Sequence, residues 1–191
     1  KKAAEHLWLN RPWVILTGAG ISTESGIPDF RSPQSGLWRQ YDPMEILSTD
    51  VLFNKPELFY QIGFAILMKF KHAQPNQAHR ILADWESRGL VKAVITQNID
   101  NLHKKAGSKN VLELHGNGTR FLCSINCGER YTYENFIEKI SKDEKPMCNC
   151  GMAPIRPDVV LFDEWLDDAI FDKAYWAIKK CDLIIVIFSR L

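Results

Sequence analysis

Four of the five cysteines fall in one short stretch, as Cys123-x3-Cys127 and Cys148-x-Cys150, while Cys181 stands apart. Thiolates bind Zn²⁺ strongly, and four around one ion make a closed tetrahedral site of the structural kind. No secretory feature accompanies them, so paired cysteines read better as metal ligands than as disulfides. Both gaps depart from the usual two residues. Gly128 and Gly151 flank the pairs, where a tight knuckle brings backbone N–H groups toward sulfur. A few reduced surface thiols are the plain alternative. Cys181 lies in an apolar segment and reads as a small buried hydrophobe.

A second chemical feature is Gly18-Ala19-Gly20-Ile21-Ser22, directly after the apolar run Trp13–Thr17. Two glycines allow a tight turn and let backbone N–H groups approach a pyrophosphate. The dinucleotide fingerprint places a third glycine where this protein has Thr23, so an ordinary strand-to-helix turn is the competing reading. The histidines are at 6, 72, 79, 103 and 115. An imidazole titrates near neutrality and suits acid–base work, although most buried histidines are structural. His103, inside a helical pattern, fits packing or capping.

Elements that would position these groups alternate along the sequence. Trp13–Thr17, Ala93–Thr96, Val111–Leu114, Val159–Phe162 and Leu183–Phe188 are short apolar runs suited to strands buried on both faces. Asn76–Arg88, stopped by Gly89, Asp100–Ala106 and Leu166–Lys180 carry helical patterns. This alternation predicts an α/β doubly wound parallel sheet of Rossmann-like form. Two segments break the rhythm: residues 33–74, a helical insert containing Leu58–Phe70, and the cysteine window at 119–156. The expected domains are therefore 1–118 with 157–191, Rossmann-like in form, and a small inserted zinc module at 119–156.

Composition excludes several classes. The protein has 191 residues, 46% hydrophobic and 25% charged, enough for a packed core. Its 24 Lys+Arg against 23 Asp+Glu leave +1, without the basic excess of a nucleic-acid binder. The longest clear apolar run, Leu183–Phe188, is too short to span a membrane. No signal peptide shows, although the sequence begins at Lys1 rather than Met. A cytoplasmic protein without membrane or direct nucleic-acid partners is expected.

The glycine turn continues as Thr23-Glu24-Ser25-Gly26-Ile27-Pro28-Asp29-Phe30-Arg31. Thr96-Gln97-Asn98-Ile99-Asp100-Asn101-Leu102-His103 and Glu113-Leu114-His115-Gly116 follow, then the cysteines, then Arg156-Pro157-Asp158-Val159-Val160-Leu161-Phe162. In this order the motifs resemble the sirtuin family of NAD-dependent protein-lysine deacylases, from about Trp13 to Ile187.

The resemblance implies a reaction in which the acetyl group of an acetyl-lysine passes to the ADP-ribose part of NAD, with release of nicotinamide. It makes His115 the base for a ribose hydroxyl and places Asn98 and Asp100 on the nicotinamide side, with Ile99 between them. Gln97 would contact ribose hydroxyls, and Gly18, Ala19, Gly20, Ile21 and Ser22 would line the phosphate side. Asp29, Phe30 and Arg31 would close over the cofactor, with Phe30 shielding the reactive carbon from water. Asn98 and Asp100 could equally cap the helix that starts there. Val159, Val160 and Phe162 would form the wall against which an acylated peptide adds as a strand. Cys123, Cys127, Cys148 and Cys150 would hold structural zinc.

Departures matter too. Asp163 stands where the family usually has Gly after that Phe. The stretch Gly63-Phe64-Ala65-Ile66-Leu67-Met68 lacks the Arg that family members use for acidic acyl groups, so neutral acyl groups are expected. Phe188 stands where the first Gly of a Gly-Thr-Ser turn is expected and Arg190 near its Ser, after which the sequence stops. On this reading the adenosine side is incomplete and the protein is truncated at its C-terminus. A NAD glycohydrolase or ADP-ribosyltransferase, and a non-catalytic remnant, are the competing functions.

Overall fold

The computed structural model describes residues 2–29, 42–68, 71–142 and 145–189, the side chains of 3 and 4 excepted. Its strands are β1 (Trp13–Thr17), β2 (Val91–Thr96), β3 (Val111–Glu113), β4 (Gly116–Cys123), β5 (Arg130–Tyr131), β6 (Ile155–Val159) and β7 (Ile184–Ile187). The α-helices are α1 (Lys2–Leu9), α2 (Pro43–Ile46), α3 (Thr49–Asn54), α4 (Pro56–Leu58), α5 (Ala65–Met68), α6 (Gln77–Ser87), α7 (Leu102–Lys105), α8 (Tyr133–Ile140) and α9 (Asp168–Lys179). They fall into two compact units: Lys1–Gly36 with Ala73–His115 and Leu166–Leu191, and Leu37–His72 with Gly116–Trp165.

The first unit holds a four-stranded parallel sheet in the order β3-β2-β1-β7. Side chains alternate across a strand, and β1 uses both faces. Trp13 and Ile15 pack with Leu82, Val91 and Val94 and with Ala78 and Trp85 of α6. Val14 and Leu16 pack with Ile95 and with Ala174, Ala177 and Ile178 of α9. A strand covered on both sides reads as a continuous apolar run, which is why Trp-Val-Ile-Leu is legible as a central strand. Capping fixes the helix starts. Asn76 Oδ1 accepts from the N–H groups of Ala78 and His79 at 3.0 and 3.4 Å, and Asp167 Oδ1 accepts from that of Ile170 at 2.9 Å.

The second unit is built on a three-stranded antiparallel sheet, β5-β4-β6. Here the sequence expectation for Val159–Phe162 is corrected. Only Val159 lies in a strand, and that strand, β6, runs antiparallel to β4 rather than joining the parallel sheet. The reason is β4, whose Gly-Asn-Gly start hides it from an apolar-run search. Gly116 makes the pairing possible: its φ is +80°, and a Cβ there would lie 2.1 Å from the Asp158 carbonyl oxygen. The core of this unit is aromatic. Phe121 and Phe136 stack at 4.6 Å, and Phe64 meets Phe136 edge-on at 4.8 Å. Tyr60 donates its hydroxyl to the Ile155 carbonyl at 2.7 Å, and burial raises its pKa, keeping it a neutral donor. The expected helix Leu58–Phe70 is a π-helical turn, Phe59–Phe64, running into α5.

Candidate functional site

Parallel strands bring all their C-terminal ends to one sheet edge, where ligands bind in open α/β folds. Gly18 follows β1, Gln97 and Asn98 follow β2, and His115 closely follows β3. The sheet therefore gathers at one edge several residues that the sequence scatters over nearly a hundred positions.

At that edge Ala19–Ser25 forms a 3₁₀ turn closed by Gly26 in the left-handed region, with Ile21 and Ser22 buried. Asn76 donates to the Ile21 carbonyl at 2.7 Å and ties the turn to the start of α6. Ser22 donates its hydroxyl to Asp100 Oδ2 at 2.6 Å, while Asp100 Oδ1 accepts from the Leu102 N–H at 2.9 Å. Asp100 thus both anchors the first turn of α7, as the capping expectation has it, and orients Ser22. Asn98, 6% exposed, donates through Nδ2 to the Gly18 carbonyl and to Ser22 Oγ, each at 3.1 Å. Its Oδ1 is buried and has no partner among the described residues. Buried acceptors are normally satisfied, so this oxygen fits a ligand that brings an N–H or O–H donor, such as a carboxamide. Ile99 and Ala19 are half-buried beside these groups.

His115 is half-buried, with Nδ1 2.9 Å from the Gln97 carbonyl oxygen. A carbonyl only accepts, so this bond holds the hydrogen on Nδ1 and leaves the Nε2 lone pair for a proton. The backbone of the β2 turn therefore selects the tautomer of the His115 imidazole. His103 behaves otherwise. It is 2% exposed, its Nε2 sits 2.9 Å from Thr17 Oγ1, and its ring meets that of His79 at 4.9 Å. Burial, reinforced by His79, pushes its pKa down to about 3, so it is a neutral packing group. Thr17 in turn donates to Thr96 at 2.9 Å, and Thr96 Oγ1 accepts from the Asn98 N–H at 3.1 Å. Single-residue motif reading misses this run of polar groups behind Asn98. The paired threonines at the ends of β1 and β2 are its only sequence signal.

Phe188 adopts φ 49°, the left-handed backbone that its ring makes costly. It crowds the glycine turn: a Cβ on Gly20 would lie 2.7 Å from the Phe188 Cβ, and one on Gly18 would lie 2.7 Å from the Phe188 carbonyl oxygen. Both glycines are thus required by the protein's own close approach. Ser189 donates to Gln97 Oε1 at 3.2 Å. Asp29 is half-buried, and Phe30 and Arg31 lie outside the described residues.

In the second unit, Val159 is 6% exposed, Val160 is half-buried and Phe162 is 49% exposed. The buried Arg156 holds this segment in place. Its Nη1 and Nη2 each meet a Glu164 oxygen at 2.6 Å, and Nη2 also donates to the Val159 carbonyl at 2.8 Å. A bidentate guanidinium–carboxylate pair is directional as well as strong.

The four cysteine sulfurs Cys123, Cys127, Cys148 and Cys150 all lie within 4.8 Å of one another. Cys123 to Cys150 is 3.7 Å and Cys127 to Cys148 is 3.6 Å. Tetrahedral Zn²⁺ with bonds of about 2.3 Å sets sulfurs about 3.8 Å apart, so this donor set fits zinc. The knuckle is present: the Cys150 N–H points to Cys148 Sγ at 3.5 Å, and Tyr131 donates its hydroxyl to the same sulfur at 3.1 Å. Cys181 is half-buried and belongs to the other unit.

Over its whole length the protein is 54% identical to the NAD-dependent protein deacetylase 2 of Caldanaerobacter subterraneus subsp. tengcongensis, covering 76% of that protein. Among solved structures it resembles one described as "Sir2-p53 peptide-NAD+", with TM-score 0.86 and 41% identity over 99% of this protein and 75% of that one. It also resembles "Sir2 bound to acetylated peptide", with TM-score 0.84 and 39% identity over 98% and 74% of the two. The Sir2 family model matches residues 18–191, and the chain belongs to the Sir2 family.

Proposed function

We propose that this protein is an NAD-dependent protein-lysine deacetylase, passing the acetyl group of acetyl-lysine to ADP-ribose with release of nicotinamide. The observation that carries the reading is His115, its Nδ1 bound to the Gln97 carbonyl and its Nε2 lone pair left to take a proton, on the same sheet edge as the glycine turn. Its membership of the Sir2 family, and the peptides and NAD named for the solved relatives, support the same reaction.

NAD supplies the sugar carbon that accepts the acyl oxygen once nicotinamide departs. The residues that would hold it are Gly18, Ala19, Gly20, Ile21 and Ser22 on the phosphate side, Gln97 at the ribose, and Asn98, Ile99 and Asp100 at the nicotinamide. Asp29, Phe30 and Arg31 belong to the covering segment. Asn98 Oδ1, which has no donor among the described residues, would accept from the nicotinamide carboxamide, and Ser22, fixed by Asp100, keeps the Asn98 amide oriented. His115 removes a proton from a ribose hydroxyl at Nε2, and the Gln97 carbonyl stabilises the resulting imidazolium. Val159, Val160 and Phe162 bind the acyl-lysine peptide, with neutral acyl groups preferred. Within the unit Leu37–His72 and Gly116–Trp165, residues 119–156 carry the zinc module. No helix among the described residues is long and apolar enough to cross a membrane, and we place the protein in the cytoplasm, acting on protein rather than nucleic acid.

The test is to incubate the protein with NAD and an acetyl-lysine peptide and to follow nicotinamide. Release that requires the peptide, with loss in His115→Ala, is the expected result. Equal release without peptide would instead identify a glycohydrolase, and no release beyond that of His115→Ala would exclude catalysis.

A further inference from the structure

The segment after β6 is fastened on two sides. On one side Glu164, besides meeting Arg156, accepts the Leu161 N–H through Oε2 at 2.9 Å. On the other, the Phe162 N–H donates to the Leu47 carbonyl at 3.1 Å. Asp163 then reaches the start of α3. Its two carboxylate oxygens accept from the Thr49 N–H at 2.8 and 3.0 Å, and Oδ2 also takes the Thr49 hydroxyl and, at 3.4 Å, the Asp50 N–H. The first N–H groups of a helix lack partners within it. Yet α3 already has its own cap, Ser48, whose Oγ accepts from Val51 at 3.3 Å. Asp163 is therefore an addition to the helix cap, joining two segments 114 residues apart. Between these fastenings sit Leu161, 3% exposed, and Phe162, whose ring is 49% exposed. Partial burial tends to raise the Asp163 pKa, but hydrogen bonds from Thr49 outweigh it and hold the carboxyl below its ordinary value. The latch is thus charged at every pH near neutrality.

We propose that Asp163 is a positioning residue for the acyl-lysine peptide: by latching the segment to α3 it sets the attitude at which Phe162 is presented. A glycine, the residue that the family resemblance leads one to expect here, offers no carboxylate to make these bonds. The proposal rests on the reading of Val159, Val160 and Phe162 as the peptide wall.

The experiment compares the unaltered protein with Asp163→Ala, Asp163→Asn and Phe162→Ala. It measures binding of a fluorescein-labelled acetyl-lysine peptide, KM for peptide and for NAD, kcat, and amide exchange at Thr49 and Asp50. Losing charge-assisted hydrogen bonds at an exposed site is expected to raise peptide Kd and KM about five- to tenfold in Asp163→Ala. KM for NAD and kcat stay within about twofold. Asp163→Asn recovers part of the loss, since its amide oxygen still accepts from Thr49. Faster exchange at Thr49 and Asp50 with unchanged peptide binding overturns the proposal. Equal losses in peptide binding, NAD binding and kcat also overturn it, by revealing a merely structural role. Phe162→Ala separates the two ideas. If it binds peptide as the unaltered protein does, the wall reading fails. If it weakens binding while Asp163→Ala does not, only the latch fails.

Discussion

Acid should unfold this protein partly through His103. The native pKa is about 3 against an ordinary 6.5. Between those values the unfolded state binds a proton that the folded state refuses, so stability rises with pH across the window. It is complete above about 6.5 and declines as pH falls toward 3. At pH 5 the unfolded state is favoured through this residue by one and a half pH units, about 2 kcal/mol. That is a large share of a typical stability of about 5–15 kcal/mol. Urea unfolding at pH 7 and pH 5, followed by tryptophan fluorescence, measures the difference. Carboxylates and zinc ligands also titrate over that range, so the informative quantity is a comparison with His103→Gln. The glutamine amide can still donate toward Thr17 Oγ1 and carries no titrating proton. Its loss of stability from pH 7 to pH 5 is expected to be about 2 kcal/mol smaller, or about 1 M urea in midpoint. Equal losses in the two proteins would refute the assignment of a buried, neutral imidazole.

Asn98→Ala removes the donor to Gly18 and Ser22 together with the orphaned Oδ1, and should lower peptide-dependent nicotinamide release about 100-fold with little change in melting temperature. Phe136→Ala opens a hole between Phe121, Phe64 and Tyr60 and should cost about 3–5 kcal/mol by chemical denaturation. A strong chelator should strip one zinc per protein molecule by elemental analysis and speed amide exchange along β4 and β5 first, since Cys123 and Tyr131 lie on those strands.

The parallel sheet is legible in sequence because β1 is apolar without interruption, and burial on both faces requires that. The antiparallel sheet is not, because β4 begins with Gly-Asn-Gly and its partner β6 contains Arg156 and Pro157. Arg156 looks like a surface residue in sequence and is 8% exposed only because Glu164, eight positions on, neutralises it. Clustering of the cysteines is readable from their pairing despite irregular gaps, since a thiolate cage depends on where the knuckles fold rather than on one fixed spacing. For His115 the motif supplies the residue, but the tautomer depends on a carbonyl 18 positions away. The Thr17–His103 contact lies deeper still, since hydroxyl and imidazole meet only after β1 and β2 have paired.

The bonds at the sheet edge span long stretches of sequence: Ser22 to Asp100 is 78 residues, Asn98 to Gly18 is 80 and Ser189 to Gln97 is 92. No fragment short enough to fold as a hairpin or a single helix contains any of these pairs. Formation of the edge must therefore wait for the slow, non-local pairing that parallel strands demand. During refolding, recovery of ligand binding should lag recovery of helix signal. Binding, rather than circular dichroism, marks the moment at which the native topology has closed.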